Sequence, residues 1–296
     1  MKVSGFTFIK NAIKYDYPVV EAITSVLPMV DEFIVCLGDS EDATNELIAS
    51  IGSDKIKTIH SVWDNSLREG GKVLAIETDK ALQATAPDSD WLFYIQADEV
   101  VHEKYHHNII KAMQQYKDDK KVDGLLFNYT HFYGSYKYIG DGRSWYTHEI
   151  RVIRNNKNIR SYRDAQGFRF DDNTKLKVKK IDASIYHYGW VKNPLTMFAK
   201  ILNSTRMYQK DDIAIDKLEK EIKVKNNQFD YERVDTVKLF DGTHPAVMKE
   251  RVQQENWSIE IDTKKKKFKS VKHKALYFLD KKFGWRPFEY RNYIKI

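Results

Sequence analysis

Apolar residues in the first hundred positions fall into short runs separated by stretches with helical spacing. Val3–Ile9, Phe33–Leu37, Lys57–Val62 and Trp91–Ile95 read as strands, the second and fourth of the uninterrupted kind that is buried on both faces. Between them, Val19, Val20, Ala22, Ile23, Val26 and Leu27 mark a helix over 18–29, and Pro18 suits its first turn. Asp42–Ser50 reads as a second helix stopped by Gly52, and Val73, Leu74, Ile76, Ala81 and Leu82 place a third over 71–84. This alternation builds a parallel sheet covered by helices on both faces. Further on, Tyr105–Tyr116 is expected to be helical and Gly124–Tyr129 a strand. Residues 130–188 mix strand signals with Gly- and Asp-containing turns, and after Pro194 the pattern reads as helical to the end.

Polar side chains collect where each strand stops. Lys10 and Asn11 follow the first, and Gly38, Asp39 and Ser40 the second. Asp64 and Asn65 follow the third, and Gln96, Asp98 and Glu99 the fourth. In an open parallel sheet, ligands bind beyond the carboxyl ends of the strands, so these groups share one edge. No Gly-x-Gly-x-x-Gly follows the first strand and no Gly-x-x-x-x-Gly-Lys-Ser/Thr occurs, which disfavours a dinucleotide fold and a phosphate-loop NTPase. A site built from carboxylates meets a phosphate ligand through a hard divalent cation, which takes oxygen ligands from both. The cation would neutralise charge building on a leaving diphosphate.

Composition adds a core and a compartment. At 296 residues, 42% hydrophobic and 31% charged, the chain is long enough for a sizeable core. The lone Cys36 lies in the apolar run 32–37, reads as a buried thiol and suits a reducing compartment. The N-terminus is too short and polar in its apolar stretch for a signal peptide, and no apolar run of about 18 residues suggests a membrane span. The expected localisation is therefore cytoplasmic. The net charge of +7 is unevenly placed: Lys264–Ile296 carries twelve Lys/Arg and two acids, +10, which leaves 7 − 10 = −3 for the rest. That tail also holds Phe268, Tyr277, Phe278, Phe283, Trp285, Phe288, Tyr290 and Tyr293, with Phe268, Val271, Ala275, Phe278 and Leu279 at helical spacing. Two readings stay open: a basic amphipathic helix on an anionic membrane surface, or a helix packed on the domain with solvated lysines. Nucleic acid is not an expected partner, since no recognised binding module is present.

Specific segments then point to a family. Phe33-Ile-Val-Cys-Leu-Gly-Asp-Ser-Glu-Asp-Ala-Thr44 resembles the second-strand motif of family 2 glycosyltransferases, with Ser40, Asp42 and Thr44 on pattern. The family's paired aspartates are replaced by Leu37 and Gly38. Trp91-Leu-Phe-Tyr-Ile-Gln-Ala-Asp-Glu99 resembles the strand ending in the Asp-x-Asp metal motif: Asp98 matches the second aspartate and Gln96 replaces the first. Trp145–Arg154 is similar to the acceptor-side segment, and Ile185–Trp190 to the strand whose His joins the metal site. The resemblance runs from about Val3 to Trp190.

It implies a GT-A-like α/β fold, a mostly parallel sheet flanked by helices, with a nucleotide-sugar-binding catalytic domain at 1–190 and a helical C-terminal region at 191–296. It implies a nucleotide-sugar donor, a glycan or lipid-linked acceptor, and Mn²⁺ or Mg²⁺ held by Asp98 and His187. Asp39, Ser40, Asp64, Lys72 and Gln96 are the candidate nucleotide-binding residues. Glu149 is the candidate general base, with Asp164 the runner-up, since inverting transfer needs a carboxylate to take the acceptor proton. Each has a plainer alternative. Asp39 is a turn residue, Asp42 a helix cap, Lys72 a helix-surface lysine, and His187 a core histidine. Glu149 has an ion pair with Arg151 or Arg143 as its alternative, and Arg143 is a weaker phosphate candidate. His102, His106 and His107 read as surface residues. Tyr133, Tyr136, Tyr138, Trp145 and Tyr146 form either an acceptor wall or packing. A sugar nucleotidyltransferase and a non-catalytic glycan- or membrane-binding protein remain the rival functions.

Overall fold

The computed structural model describes all residues except Arg68, Lys210 and 224–227. Its first half follows the predicted alternation: β1 (Val3–Ile9), α1 (Val19–Val26), β2 (Glu32–Leu37), α2 (Thr44–Ala49), β3 (Ile56–His60), α3 (Lys72–Gln83) and β4 (Trp91–Tyr94). The strands lie in the order β3-β2-β1-β4, all parallel, with Phe6 opposite Ile34 on one side and Tyr94 on the other. Side chains alternate across the pleat, so β2 feeds two cores. Phe33, Val35 and Leu37 pack with Val19, Ile23 and Val26 of α1, while Ile34 and Cys36 pack with Ala81 and Leu82 of α3. Both faces are covered, which is why the run reads as continuously apolar.

The second half comprises β5 (Glu99–Val101), α4 (His106–Tyr116), β6 (Gly124–Tyr133), β7 (Ser135–Gly140), β8 (His148–Arg154), β9 (Ile159–Tyr162), β10 (Gly167–Phe170) and β11 (Lys177–Trp190). α5 (Pro194–Tyr208), α6 (Asp212–Lys223), β12 (Val237–Leu239), α7 (Lys249–Gln253), α8 (Val271–Phe283) and β13 (Ile294–Lys295) follow. β8 runs antiparallel between β4 and β6, and β6 pairs with the long β11, which also receives β5. The sheet is thus parallel through its first four strands and mixed beyond, a GT-A-like α/β architecture of the class expected.

The C-terminal region is not helical throughout. β12 pairs with β7 and β13 with β11, so both join the main sheet. A three-residue and a two-residue strand are too short to leave a period in the sequence. α8 forms where its spacing places it, started by the Ser270 side chain and closed by Gly284 at φ 63°. Its Tyr277 is buried and donates to Asp141 at 2.6 Å. Among the described residues no helix is long and apolar enough to cross a membrane. His102, read as a surface residue, is buried, its ring beside Thr243 and Tyr186. The chain turns inward at β5 before α4 begins, which a polar sequence pattern does not reveal.

One ion pair lies at the crossing of the two halves. Glu99 opens β5 and Arg151 sits mid-β8, and both are fully buried. Arg151 grips Glu99 through two hydrogen bonds of 2.7 Å. Tyr129 donates to the same carboxylate at 2.7 Å and the Gln96 amide at 3.1 Å. Replacing Glu99 with Gln strands a buried guanidinium, and such losses cost about 3–5 kcal/mol. Urea unfolding of Glu99→Gln is expected to show a loss of that size, with the midpoint shifted and the slope unchanged.

Candidate functional site

The polar ends of the strands open into a cleft of about 1200 Å³, at the edge the sequence assigns. Its floor is the carboxyl ends of β1 and β4, and one wall is α5. α5 starts cleanly because Asn193 caps it and Pro194 takes its first position. Met197, Lys200, Ile201, Ser204 and Tyr208 recur on one face of this helix and line the cleft.

Asp98 sits at the centre. Its carboxylate is 3.7 Å from His187 Nε2 and 3.1 Å from Lys200 Nζ. Burial opposes its charge, but the Lys200 ammonium holds the carboxyl well below its usual range. His187 Nδ1 lies 3.2 Å from His131 Nδ1, and His131 Nε2 is 2.8 Å from the Tyr146 carbonyl. With His131 Nε2 donating to that carbonyl, its Nδ1 accepts from His187, which leaves His187 Nε2 as a bare acceptor toward the cleft. Burial, chiefly, pushes both imidazoles below their usual pKa, so both are neutral. Gly189 makes this packing possible: a Cβ there would meet Asp98 Oδ2 at 2.5 Å and His187 Cε1 at 2.8 Å.

The two candidate bases part company. Asp164 lines the cleft, and its Oδ2 accepts from Tyr208 at 2.8 Å. It stands between Arg163 (φ 56°) and Ala165 (φ 63°), both in the left-handed region that non-glycine residues avoid. Among the described residues, six non-glycine positions have such φ values, and Asn11 and Asp16, on the loop after β1 bordering this cleft, are two more of them. Glu149 does not line the cleft. It is buried behind Gln166, whose amide donates to its Oε1 at 2.8 Å. Neither expected ion pair forms, because Arg151 gives its N–H groups to Glu99 and to the carbonyls of Ile150 and Gln166, and Arg143 reaches the Pro287 carbonyl. Glu149 Oε2 has no partner, and burial pushes the carboxyl up to about 8.

Of the candidate nucleotide residues, Asp64 and Gln96 line the cleft. Asp64 caps a turn by accepting from Ser66, and Gln96 donates to the Ala165 carbonyl at 3.0 Å, tying β4 to the Asp164 loop. Asp39, Ser40 and Lys72 are not among the lining residues. Asp39 braces the rim through Lys10 Nζ at 2.8 Å and the Trp63 amide at 3.1 Å. Ser40 accepts from the Asn11 amide at 3.0 Å, and Asp42 accepts from Lys14 and Thr44. Lys72 is exposed at the start of α3, where Gly71 (φ 70°) turns the chain against Asp164. Of the proposed aromatic wall, Tyr146 lines the cleft; Tyr133, Tyr136 and Tyr138 are buried in satellite cores. The sequence reading missed Lys200, Tyr208, Gln166 and Tyr17. The one available signal was the polar face of α5 repeating at three- and four-residue intervals.

A divalent cation finds two protein donors here, the Asp98 carboxylate and His187 Nε2. Among the described residues no group of three or more His, Cys, Asp or Glu is arranged to hold a metal ion. Two donors are compatible with a cation that completes its shell from diphosphate oxygens and water, and the space Gly189 leaves open lies beside both.

No family model matches the chain, and no curated protein does. Solved structures similar to it include TarS 1-349 of S. aureus in complex with UDP, at 14% identity over 75% of this chain and 70% of that one, TM-score 0.37. Another is 4-diphosphocytidyl-2C-methyl-D-erythritolsynthase from Anaerococcus prevotii, at 12% over 69% and 94%, TM-score 0.38. A third is glucosyl-3-phosphoglycerate synthase from Mycobacterium tuberculosis with Mn²⁺, UDP and phosphoglyceric acid, at 18% over 44% and 43%, TM-score 0.30.

Glu149 yields a prediction of definite sign. A carboxyl at about 8 in the fold and near 4.3 when unfolded keeps its proton in the native state while the unfolded chain loses it. Stability therefore falls as pH rises from about 4 to about 8, by up to ~1.4 kcal/mol per unit, and levels off above. Glu149→Gln is expected to match wild type at pH 5 and to melt higher at pH 8.5. Identical melting curves at both pH values would show that Glu149 ionises normally.

Proposed function

We propose that the chain is a glycosyltransferase that moves a sugar from a nucleotide-diphosphate sugar to a hydroxyl acceptor, the hydroxyl of a glycan or a lipid-linked glycan. The observation that carries this reading is the cleft at the carboxyl edge of the sheet. It holds a charged carboxylate, Asp98, paired with neutral His187 on its floor, and a second carboxylate, Asp164, on a strained loop at its side. Mn²⁺ or Mg²⁺ held by Asp98 and His187 would supply Lewis-acid charge to the donor diphosphate. Lys10, Lys14 and Lys200 line the same cleft and add positive charge on the donor side. Asp164 accepts the proton of the acceptor hydroxyl as its oxygen bonds to the anomeric carbon. The bond to the diphosphate breaks on the opposite side, its electron pair leaves with the phosphate oxygen, and the configuration inverts. The Tyr208 hydroxyl, donating to Asp164 Oδ2, orients that carboxylate. Glu149, walled off by Gln166, is left to structure. A nucleotidyltransferase fits less well, because Phe8-Ile-Lys-Asn-Ala12 offers no glycine-rich basic loop.

Calorimetric titration with UDP, GDP and CDP, with and without Mn²⁺, tests this. One nucleotide is expected to bind in a metal-dependent manner. Asp98→Ala is expected to lose the metal dependence, and Asp164→Asn to keep nucleotide binding while transfer slows by about 10²–10⁴-fold. A folded protein that binds no nucleotide would turn the assignment to the non-catalytic alternative.

The tail gives the enzyme a place to work. On α8, Val271, Phe278 and Phe283 (66%) are exposed, and beyond its end so are Trp285 (60%) and Phe288 (86%). Lys272 lies over Phe288 and Lys282 over Phe283. Aromatic anchors bordered by ammonium groups suit the interface of an anionic bilayer, where each lysine adds about 1 kcal/mol. Co-sedimentation with vesicles containing phosphatidylserine is expected, released by 0.5 M salt (roughly half the Debye length of physiological buffer) and weakened by Phe283→Ala with Phe288→Ala. Equal recovery with neutral vesicles, or none with either, contradicts membrane docking.

A further inference from the structure

The Asp98 carboxylate already has a cation. Lys200 reaches it from α5, its Nζ 3.1 Å from Asp98 Oδ2 and 2.8 Å from the Gly189 carbonyl, with the Tyr17 ring 5.0 Å away. The lysine side chain is 16% exposed and the aspartate side chain 12%, so the pair stands at the cleft surface and is well shielded from water. Oδ1 of the same carboxylate faces His187 at 3.7 Å. One oxygen is therefore committed to an ammonium group and the other shares its side with an imidazole. The constellation lies where a metal bridging protein and diphosphate would sit, and Gly189 lies against both the carboxylate and the imidazole.

Resting on the reading of Asp98 and His187 as metal donors, we propose that Lys200 is a built-in counter-ion that competes with the metal for Asp98 and, with no metal present, itself binds the donor diphosphate. Two positive charges do not share one carboxylate at contact distance without cost, so metal entry drives the ammonium off Oδ2. Lys200 hangs on a flexible four-carbon stem from the helix that walls the cleft; with no metal present its ammonium stays on Asp98 and the Gly189 carbonyl, which leaves its third N–H for a diphosphate oxygen. The apo site is thereby kept neutral and ordered, where a bare Asp98 would be a buried, unpaired charge. The substitution of Gln96 for an acid fits this arrangement: its amide is spent on the Ala165 carbonyl, so the site holds one carboxylate for one resident cation.

The test is Mn²⁺ and UDP binding to Lys200→Met and Lys200→Arg, with wild type beside them. Lys200→Met keeps the length and loses the charge. It is expected to bind Mn²⁺ at least tenfold more tightly, because no ammonium has to be displaced, and to bind UDP in the presence of EDTA at least tenfold more weakly. Lys200→Arg, which keeps the charge, is expected to stay within about threefold of wild type in both. These opposite changes in one variant separate the proposal from a packing role, which would weaken both ligands together. Unchanged or weaker Mn²⁺ binding by Lys200→Met, with wild type binding Mn²⁺ normally, overturns the role of Lys200 and leaves the metal site standing. If neither wild type nor Lys200→Met binds Mn²⁺, the metal reading of Asp98 and His187 and this inference fall together.

Discussion

The buried Glu99–Arg151 pair is the constraint on which the site depends. It joins the end of the parallel half of the sheet to the antiparallel strand that extends it, and every lone pair it exposes is used. Arg151 lies between the Tyr94 and Tyr129 rings, about 5 Å from each, and passes a hydrogen bond on to the Gln166 carbonyl. Glu99 receives Tyr129 and the Gln96 amide. The segment 96–99 is therefore fixed from below, and the residue facing the other way, Asp98, inherits its position. Ion pairs of this kind seldom add stability over an apolar replacement of the same shape. What this one supplies is registration: it fixes the position of the Asp98 carboxylate on the cleft floor.

Three acids near the cleft illustrate how environment divides labour. Asp98 is charged because the Lys200 ammonium faces it, and Glu149 keeps its proton because burial outweighs the pull of Arg151, whose N–H groups go elsewhere. Asp164 stands at the cleft with a tyrosine hydroxyl as its partner. The same residue type on an open surface would titrate near 4 in every case. Burial with no ion pair of its own removes Glu149 from acid–base work at neutral pH, while placement on a strained loop brings Asp164 to the cleft. Local strain at Arg163 and Ala165 is held by the rest of the structure, since the Ala165 carbonyl anchors Gln96 and its methyl group is buried against Phe168 and Tyr94.

The parallel half of the fold was legible in the sequence because its strands are buried on both faces and its helices on one, and each leaves its own period. The edge where the cleft opens followed from that order, and the presence of Asp98 in its lining from the end of β4. What could not be read were contacts made at long separation. Gln166 screens Glu149 from seventeen positions away, and Lys200 meets Asp98 from 102 positions away. No local pattern encodes either. His102 illustrates the reverse case: its neighbours are polar, but Thr243 and Tyr186 arrive from distant segments to bury it. β12 and β13 were invisible because strands of two or three residues hold no alternation to detect.

The placement of β8 has a consequence for how the chain reaches this state. Trp91–Tyr94 is entirely buried, flanked by β1 on one side and by β8 on the other. Until residues 148–154 arrive, β4 is an open sheet edge of Trp, Leu, Phe and Tyr, with no charge or proline to discourage pairing with another chain. The segments between must therefore collapse and thread back before the nascent protein is safe from self-association. A sheet whose middle is filled by a late antiparallel strand trades that hazard for a cleft whose floor, from residues 8–11 and 96–98, and wall, from 194–208, come from separate parts of the sequence.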